Sequence, residues 1–172
     1  FDIENRLDEG MFLFGGRQVG KSTLLRARFP QAIYVDLLDP DTRKRFKRRT
    51  MEFYEMLVKY PPKTLVIVDE IQKLPELLDV VHKLLEERPG LRFVLTGSSA
   101  RKLKRTGGVD LLAGRAVQRF CHPFLASEMG RDFSLARALR WGMVPLVAGL
   151  PDGEAEDVLR TYLDLYVQEE VT

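Results

Sequence analysis

Gly15-Gly16-Arg17-Gln18-Val19-Gly20-Lys21-Ser22 fits the pattern G-x-x-x-x-G-K-[ST], and its flanks decide how it folds. A β-like run, Met11-Phe12-Leu13-Phe14, leads into it, and Thr23-Leu24-Leu25 opens an apolar helix behind it. A strand–loop–helix unit of this kind is a phosphate cradle. Glycines let a phosphate approach the backbone, successive N–H groups turn inward, and the helix N-terminus adds partial positive charge. Gly15 to Gly20, with Lys21, Ser22 and Thr23, are therefore the candidate nucleotide contacts, and ATP with Mg²⁺ is the expected ligand. Lys21 would place a full charge on the β- and γ-phosphates, and the Ser22 hydroxyl would ligate Mg²⁺. The competing reading is a glycine-rich turn that matches by chance; both flanks argue against it.

Working outward, Thr64–Glu70 reads TLVIVDE, an apolar run ending in two carboxylates. An apolar strand without alternation suits a parallel sheet covered on both faces. Ligands of such sheets bind at the carboxyl ends of the strands, where the phosphate loop also ends. Asp69, at the strand tip, is the candidate metal ligand. Glu70, one residue further, is the candidate base for a water attacking the γ-phosphate. For either one, the alternative is a cap on the following helix.

The remaining segments alternate. Strands are expected at Met11–Phe14, Ala32–Asp36, Leu65–Val68, Arg92–Leu95 and Val117–Cys121. Helices are expected at Lys21–Arg28, Thr50–Tyr60 (Met51, Tyr54, Leu57 and Val58 inward) and Pro75–Glu87. After Pro123 strand signals stop, and Phe133–Trp141 and Glu154–Val171 read as helices, the latter with Val158, Tyr162, Leu165 and Tyr166 on one side. The expected fold is α/β, a three-layer P-loop NTPase with a five-stranded parallel sheet and a small helical segment behind it. Residues 1–122 form the nucleotide-binding core, and 123–172 the helical segment.

Composition narrows the partners. The 172 residues are 45% apolar and 30% charged, ordinary for a globular chain. No apolar run is long enough to span a bilayer, so no membrane partner is expected. A single cysteine, Cys121, excludes an internal disulfide and suits a reducing cytoplasm. One Cys and two His argue against a protein-only zinc site. The net charge of +2 demands no polyanionic partner. Phe1 opens the chain without a methionine and Thr172 closes it just past a helical stretch; both ends read as cut from a longer protein.

Other residues carry two readings each. Strand four ends in Thr96-Gly97-Ser98-Ser99, beside strand three in any P-loop sheet with an extra central strand. Ser98 first, and Thr96 second, are candidates to touch the γ-phosphate or the attacking water; the alternative is a turn whose hydroxyls bond local backbone. Arg115, just ahead of strand five, is a candidate finger toward a neighbouring subunit's γ-phosphate, which implies a homo-oligomer; the alternative is a surface ion pair. Arg17 is a weaker phosphate contact. Arg43–Arg49 reads RKRFKRR, and a solvated mobile loop is favoured over nucleic-acid binding. Arg101, Lys102, Lys104 and Arg105 form a looser basic cluster. His82 and His122 read as structural, and Asp36 as a turn cap.

Several stretches together resemble the prokaryotic AAA+-like ATPases whose P-loop domain is followed by a separate C-terminal domain of unknown function. They are FLFGGRQVGKSTLL (Phe12–Leu25), YVDLLDP (Tyr34–Pro40), VIVDEIQKLPELLDVVHKLLEE (Val66–Glu87), RFVLTGSSARKLKR (Arg92–Arg105), LLAGRA (Leu111–Ala116) and YLDLYVQEEV (Tyr162–Val171). The resemblance implies that Lys21 and Ser22 are the Walker A pair and that Asp69 and Glu70 are the Walker B pair. It implies Ser98 near sensor 1, Arg115 as the arginine ahead of strand five, and terminal helices linking to a C-terminal domain. The expected activity is Mg·ATP hydrolysis that drives a conformational change in that domain or in a partner. The rival is a nucleotide-gated, DNA-associated or regulatory switch with negligible turnover. A small-molecule kinase lacks an acceptor site in this sequence, and a GTPase lacks the N-K-x-D motif.

Overall fold

The computed structural model describes residues 10–98, 103, 112 and 116–166. Five parallel strands form one sheet: β1 (Gly10–Phe14), β2 (Ile33–Asp36), β3 (Leu65–Asp69), β4 (Arg92–Gly97) and β5 (Val117–Phe120). Their order is β2-β3-β4-β1-β5, so β4 sits between the strand feeding the phosphate loop and the strand carrying Asp69. The expected fold class is thus observed. Pairing is in step at the functional edge, with Phe14 opposite Gly97 and Asp36 opposite Asp69.

Side chains alternate across each strand, and the sequence uses both faces. Phe12, Phe14, Val66, Val68, Phe93 and Leu95 join one buried cluster, while Met11, Leu13, Ile67 and Val94 join another with Leu25. The first face is covered by α3 (Met51–Leu57) and α4 (Leu77–Glu87), the second by α1 (Lys21–Arg28). α4 contributes Leu77, Leu78, Val80, Val81 and Leu84, the stripe expected of a helix lying on a sheet. In α3 the buried residues are Phe53 and Leu57, whereas Met51 is 38% exposed. Of the expected stripe, Leu57 is buried and Tyr54 and Val58 pack against the same cluster; Met51 departs from it, and Phe53, which the stripe did not include, is buried beside Leu57.

A second correction concerns residues 40–48. The basic run lies not in a loop but largely in a helix, α2 (Pro40–Arg48). Asp39 caps it by accepting from the N–H groups of Asp41 (3.4 Å) and Thr42 (3.0 Å), and Pro40 sits in the first turn. Phe46 fixes its inner face, 2% exposed and edge-on to Phe53 with ring centroids 5.3 Å apart. One buried aromatic contributes about 1.5–3 kcal/mol, enough to outweigh modest charge repulsion along a solvated helix face.

The chain divides into two compact units: residues 1–16 with 21–121, and residues 17–20 with 122–172. The second holds α5 (Ala126–Met129), α6 (Leu135–Trp141), α7 (Pro145–Ala148) and α8 (Asp152–Tyr166). Arg137, on α6, ties α7 and α8 to that helix. Its guanidinium donates to Asp152 Oδ1 (2.6 Å), to the Val147 carbonyl (3.1 Å) and to the Leu150 carbonyl. Among the described residues, no helix is long and apolar enough to cross a membrane.

Candidate nucleotide site at the carboxyl edge of the sheet

β1 delivers the chain to Gly15, whose N–H donates to the Gly97 carbonyl across the strand ends (3.2 Å). Lys21 opens α1 at 5% exposure, and its ammonium donates to the carbonyls of Gly15 (2.8 Å) and Gly16 (2.9 Å). The loop curls back on itself to bring this charge to its own mouth. The curl needs left-handed backbone at Gln18 (φ 60°) and Gly20 (φ 90°), a conformation glycine adopts at no steric cost. Loop residues Arg17 to Gly20 group with the helical unit: Tyr162 donates to the Arg17 carbonyl (3.2 Å), and Arg17 and Gln18 line a cavity of about 350 Å³ with Asp157, Val158, Thr161 and Tyr162.

Asp69 ends β3 at 2% exposure. Its Oδ1 accepts from the Thr96 hydroxyl and its Oδ2 from the Tyr34 phenol. A single chain of hydrogen bonds thus runs from Tyr34 through Asp69 to Thr96. Thr96 is fully buried and also accepts from the Glu70 N–H (2.9 Å). Its hydroxyl thereby holds both carboxylate residues at the end of strand three. Ser98 follows Gly97 at the same edge, half-buried.

Glu70 is neither helical nor extended. It sits in the left-handed region (φ 60°, ψ 50°) without a side-chain capping bond, so the cap reading fails for it. A non-glycine residue there costs of order 1–3 kcal/mol, and such strain concentrates at functional sites. Its carboxylate accepts at Oε2 from Gln72 Nε2. The other amide atom, Gln72 Oε1, is buried with no hydrogen-bond partner among the described residues. A Cβ at position 97 would lie 2.8 Å from that oxygen and 3.4 Å from the Phe14 ring. Glycine at the end of β4 is what leaves room for the Gln72 amide.

Sequence reasoning missed two residues here, Tyr34 and Gln72. Burial pushes the Tyr34 phenol well above its ordinary value, and its bond to Asp69 and the carboxylate's charge push it further; Ser22 and Arg26 pull weakly the other way. The Arg26 guanidinium lies 3.6 Å from the Tyr34 ring centroid. The sign for stability is definite. The folded state retains the Tyr34 proton where the unfolded chain releases it, so this contribution is full below about pH 10 and is lost as pH rises above it. Urea midpoints should fall as pH rises above about 10, and less steeply in Tyr34→Phe than in Tyr54→Phe. Tyr54 is the comparison because its phenol is also raised, chiefly by its bond to Glu87.

The other candidates are distributed as follows. Asp36 Oδ1 accepts from the Leu38 N–H (2.8 Å), a local turn contact, and Oδ2 lies 3.6 Å from Arg26. His82 lies 3.4 Å from Glu86 on α4, and His122 is exposed after β5. Arg115 and the cluster Arg101, Lys102, Lys104 and Arg105 lie outside the described residues.

A family model described as an AAA domain matches residues 8–130, a span that holds the whole sheet and the phosphate loop. The chain belongs to the AAA domain family. Membership makes it, at that level, an ATP-binding protein of the P-loop ATPase class. Among matching solved structures is the Walker-type ATPase PABY2304 of Pyrococcus abyssi, with 20% identity and a TM-score of 0.50. The match covers 88% of this chain and 57% of that one, and it speaks to the shared fold. No curated protein matches the sequence.

Proposed function

We propose that this AAA-family chain hydrolyses Mg·ATP, slowly when alone, and uses the cycle to change the conformation of an attached or partner domain. The observation that carries this reading is the paired hold on Asp69 and Glu70 by one buried hydroxyl, Thr96, beside the Lys21 cradle. The donor set suits magnesium: the Ser22 hydroxyl and the Asp69 carboxylate are hard oxygens, and each carboxylate oxygen keeps a lone pair beyond its present bond. Bound there, the ion would neutralise charge on the β- and γ-phosphates.

Lys21 supplies fixed positive charge to the same oxygens. Glu70 accepts a proton from water as the water oxygen bonds to the γ-phosphorus and the bond to the β–γ bridging oxygen breaks, leaving ADP. Ser98, just past the end of β4, orients the water or the γ-phosphate in this reading. Arg115, supplied by a neighbouring copy, would stabilise charge in the transition state; without it, catalysis that consists of positioning and neutralisation is slow.

Gln72 fixes where the Glu70 carboxylate points, so it is a positioning residue. Gln72→Ala should lower kcat about tenfold, the worth of one hydrogen bond to a charged group, and leave KM for ATP unchanged. Gln72→Glu should lower kcat at least as far, because a carboxylate donates no hydrogen bond to Glu70 and its charge repels it. Phosphate release across an ATP series checks both. Unchanged kcat in both variants would reject the role. The coupling to conformational change is tested by hydrogen exchange of the chain with ATP and with ADP, which should differ in protection; identical patterns would reject it.

A further inference from the structure

We propose that the outer face of α2 binds the phosphate backbone of duplex nucleic acid. Six of the seven residues from Arg43 to Arg49 are cations, in a chain whose net charge is only +2. The helix cannot rotate to disperse them, because Phe46 is locked against Phe53. At about 100° per residue, Lys44, Lys47 and Arg48 then fall within a single arc of about 100° on the side of the helix away from Phe46. All three are exposed.

The neighbouring cations are already engaged. Arg43 donates to the Leu37 carbonyl (3.1 Å), Arg45 pairs with Glu52 (2.6 Å) and Arg49 with Glu55 (2.5 Å). Those contacts brace the helix and leave Lys44, Lys47 and Arg48 without an acidic partner among the described residues. Lys44 and Arg48, one turn apart, border a groove of about 570 Å³ that Arg45, Arg49, Asp41 and Glu52 also line. Three unneutralised cations on one face repel each other, a cost that a polyanion relieves.

The chemistry of the face selects the polyanion. The one apolar side chain of α2 beyond Pro40, Phe46, is turned into the core, so nothing is left to insert into a bilayer. No exposed aromatic stands on the helix to stack an unpaired base, which argues against single strands. A rigid arc of cations rising about 6 Å along the helix axis matches a duplex, which presents one charge about every 1.7 Å of axis. Contacts of this kind position without reading sequence. Binding should be sequence-independent, with a dissociation constant of about 10⁻⁴–10⁻⁶ M.

The test is fluorescence anisotropy of a short labelled DNA duplex titrated with the chain at several salt concentrations, without nucleotide. The logarithm of affinity should fall against log salt with a slope of about −3. Lys44→Gln/Lys47→Gln/Arg48→Gln should remove about three from that slope, and each single substitution about one, which serves if the triple variant is unstable. Lys59→Gln/Lys73→Gln/Lys83→Gln removes the same charge elsewhere and should leave the slope unchanged. Equal losses in the two triple variants, unaltered binding by the α2 variant, or binding to phosphatidylserine vesicles or polyglutamate but not to duplex would each overturn the proposal. Because no nucleotide is present, none of these results bears on ATP hydrolysis.

Discussion

Mg·ATP at about 100 times its Kd should stabilise this chain by roughly 2.7 kcal/mol, and Lys21→Ala should abolish that gain. For a chain of this size the shift is about 5–10 °C in melting temperature. Two sources of positive potential meet in the loop. The N-terminus of α1, with the inward N–H groups, contributes about 0.3–1 kcal/mol toward an anion at an exposed site. Lys21 contributes a whole charge in a place where water is largely excluded, since the residue is only 5% exposed. Low local dielectric magnifies the full charge more than the partial one, so the lysine dominates. Lys21→Ala also strips the Gly15 and Gly16 carbonyls of their donor and will lower the melting temperature without ligand. The decisive quantity is therefore the shift within each protein, read by thermal denaturation with and without nucleotide. Chelating the magnesium should remove much of the wild-type shift. An equal shift in the variant would reject the cradle.

The parts of the site that were legible in the sequence are those written in contiguous residues. GGRQVGKS and TLVIVDE each carry their own strand, turn and charge, so pattern and context sufficed for Lys21, Ser22, Asp69 and Glu70 to be placed at one sheet edge. Strand four was expected beside strand three from the kind of sheet these motifs build, and β4 does lie there, with β1 on its other side. Tyr34 was not legible. Its bond to Asp69 spans 35 positions and exists because β2 pairs with β3 in a register that puts Asp36 opposite Asp69. Nothing in Ala32-Ile33-Tyr34-Val35-Asp36 distinguishes that tyrosine from any β-former. Gln72 was hidden differently: its importance depends on Gly97, 25 residues away on another strand, having no side chain. The helix under the basic run does carry a signal in the sequence. Asp39-Pro40 is a cap followed by a first-turn proline, and Phe46 is an apolar residue needing a core. Charge density suggested a loop, while local capping chemistry and one buried ring made a helix.

Glu70→Gln should lower turnover by about 10²–10⁴-fold while ATP binding is retained, the range that loss of a general base produces. The substitution is informative because it changes so little else. Glutamine keeps the length of the side chain, and its carbonyl oxygen accepts from Gln72 Nε2 as the carboxylate oxygen does. The left-handed backbone is held independently of the side chain, by the Glu70 N–H bonding to Thr96 and the Glu70 carbonyl accepting from the Lys73 N–H at 2.9 Å. Asp69 and Lys21 are untouched, so the proposed holds on the phosphates and the metal are kept. What is lost is the ability to take a proton from water. The measurement is phosphate release at saturating Mg·ATP beside a separate binding titration. Equal rates in Glu70→Gln and wild type would remove Glu70 from the chemistry. Binding without measurable release in either protein would instead favour a nucleotide-gated switch, in which the strained carboxylate and its Gln72 tether hold a conformation and perform no catalysis.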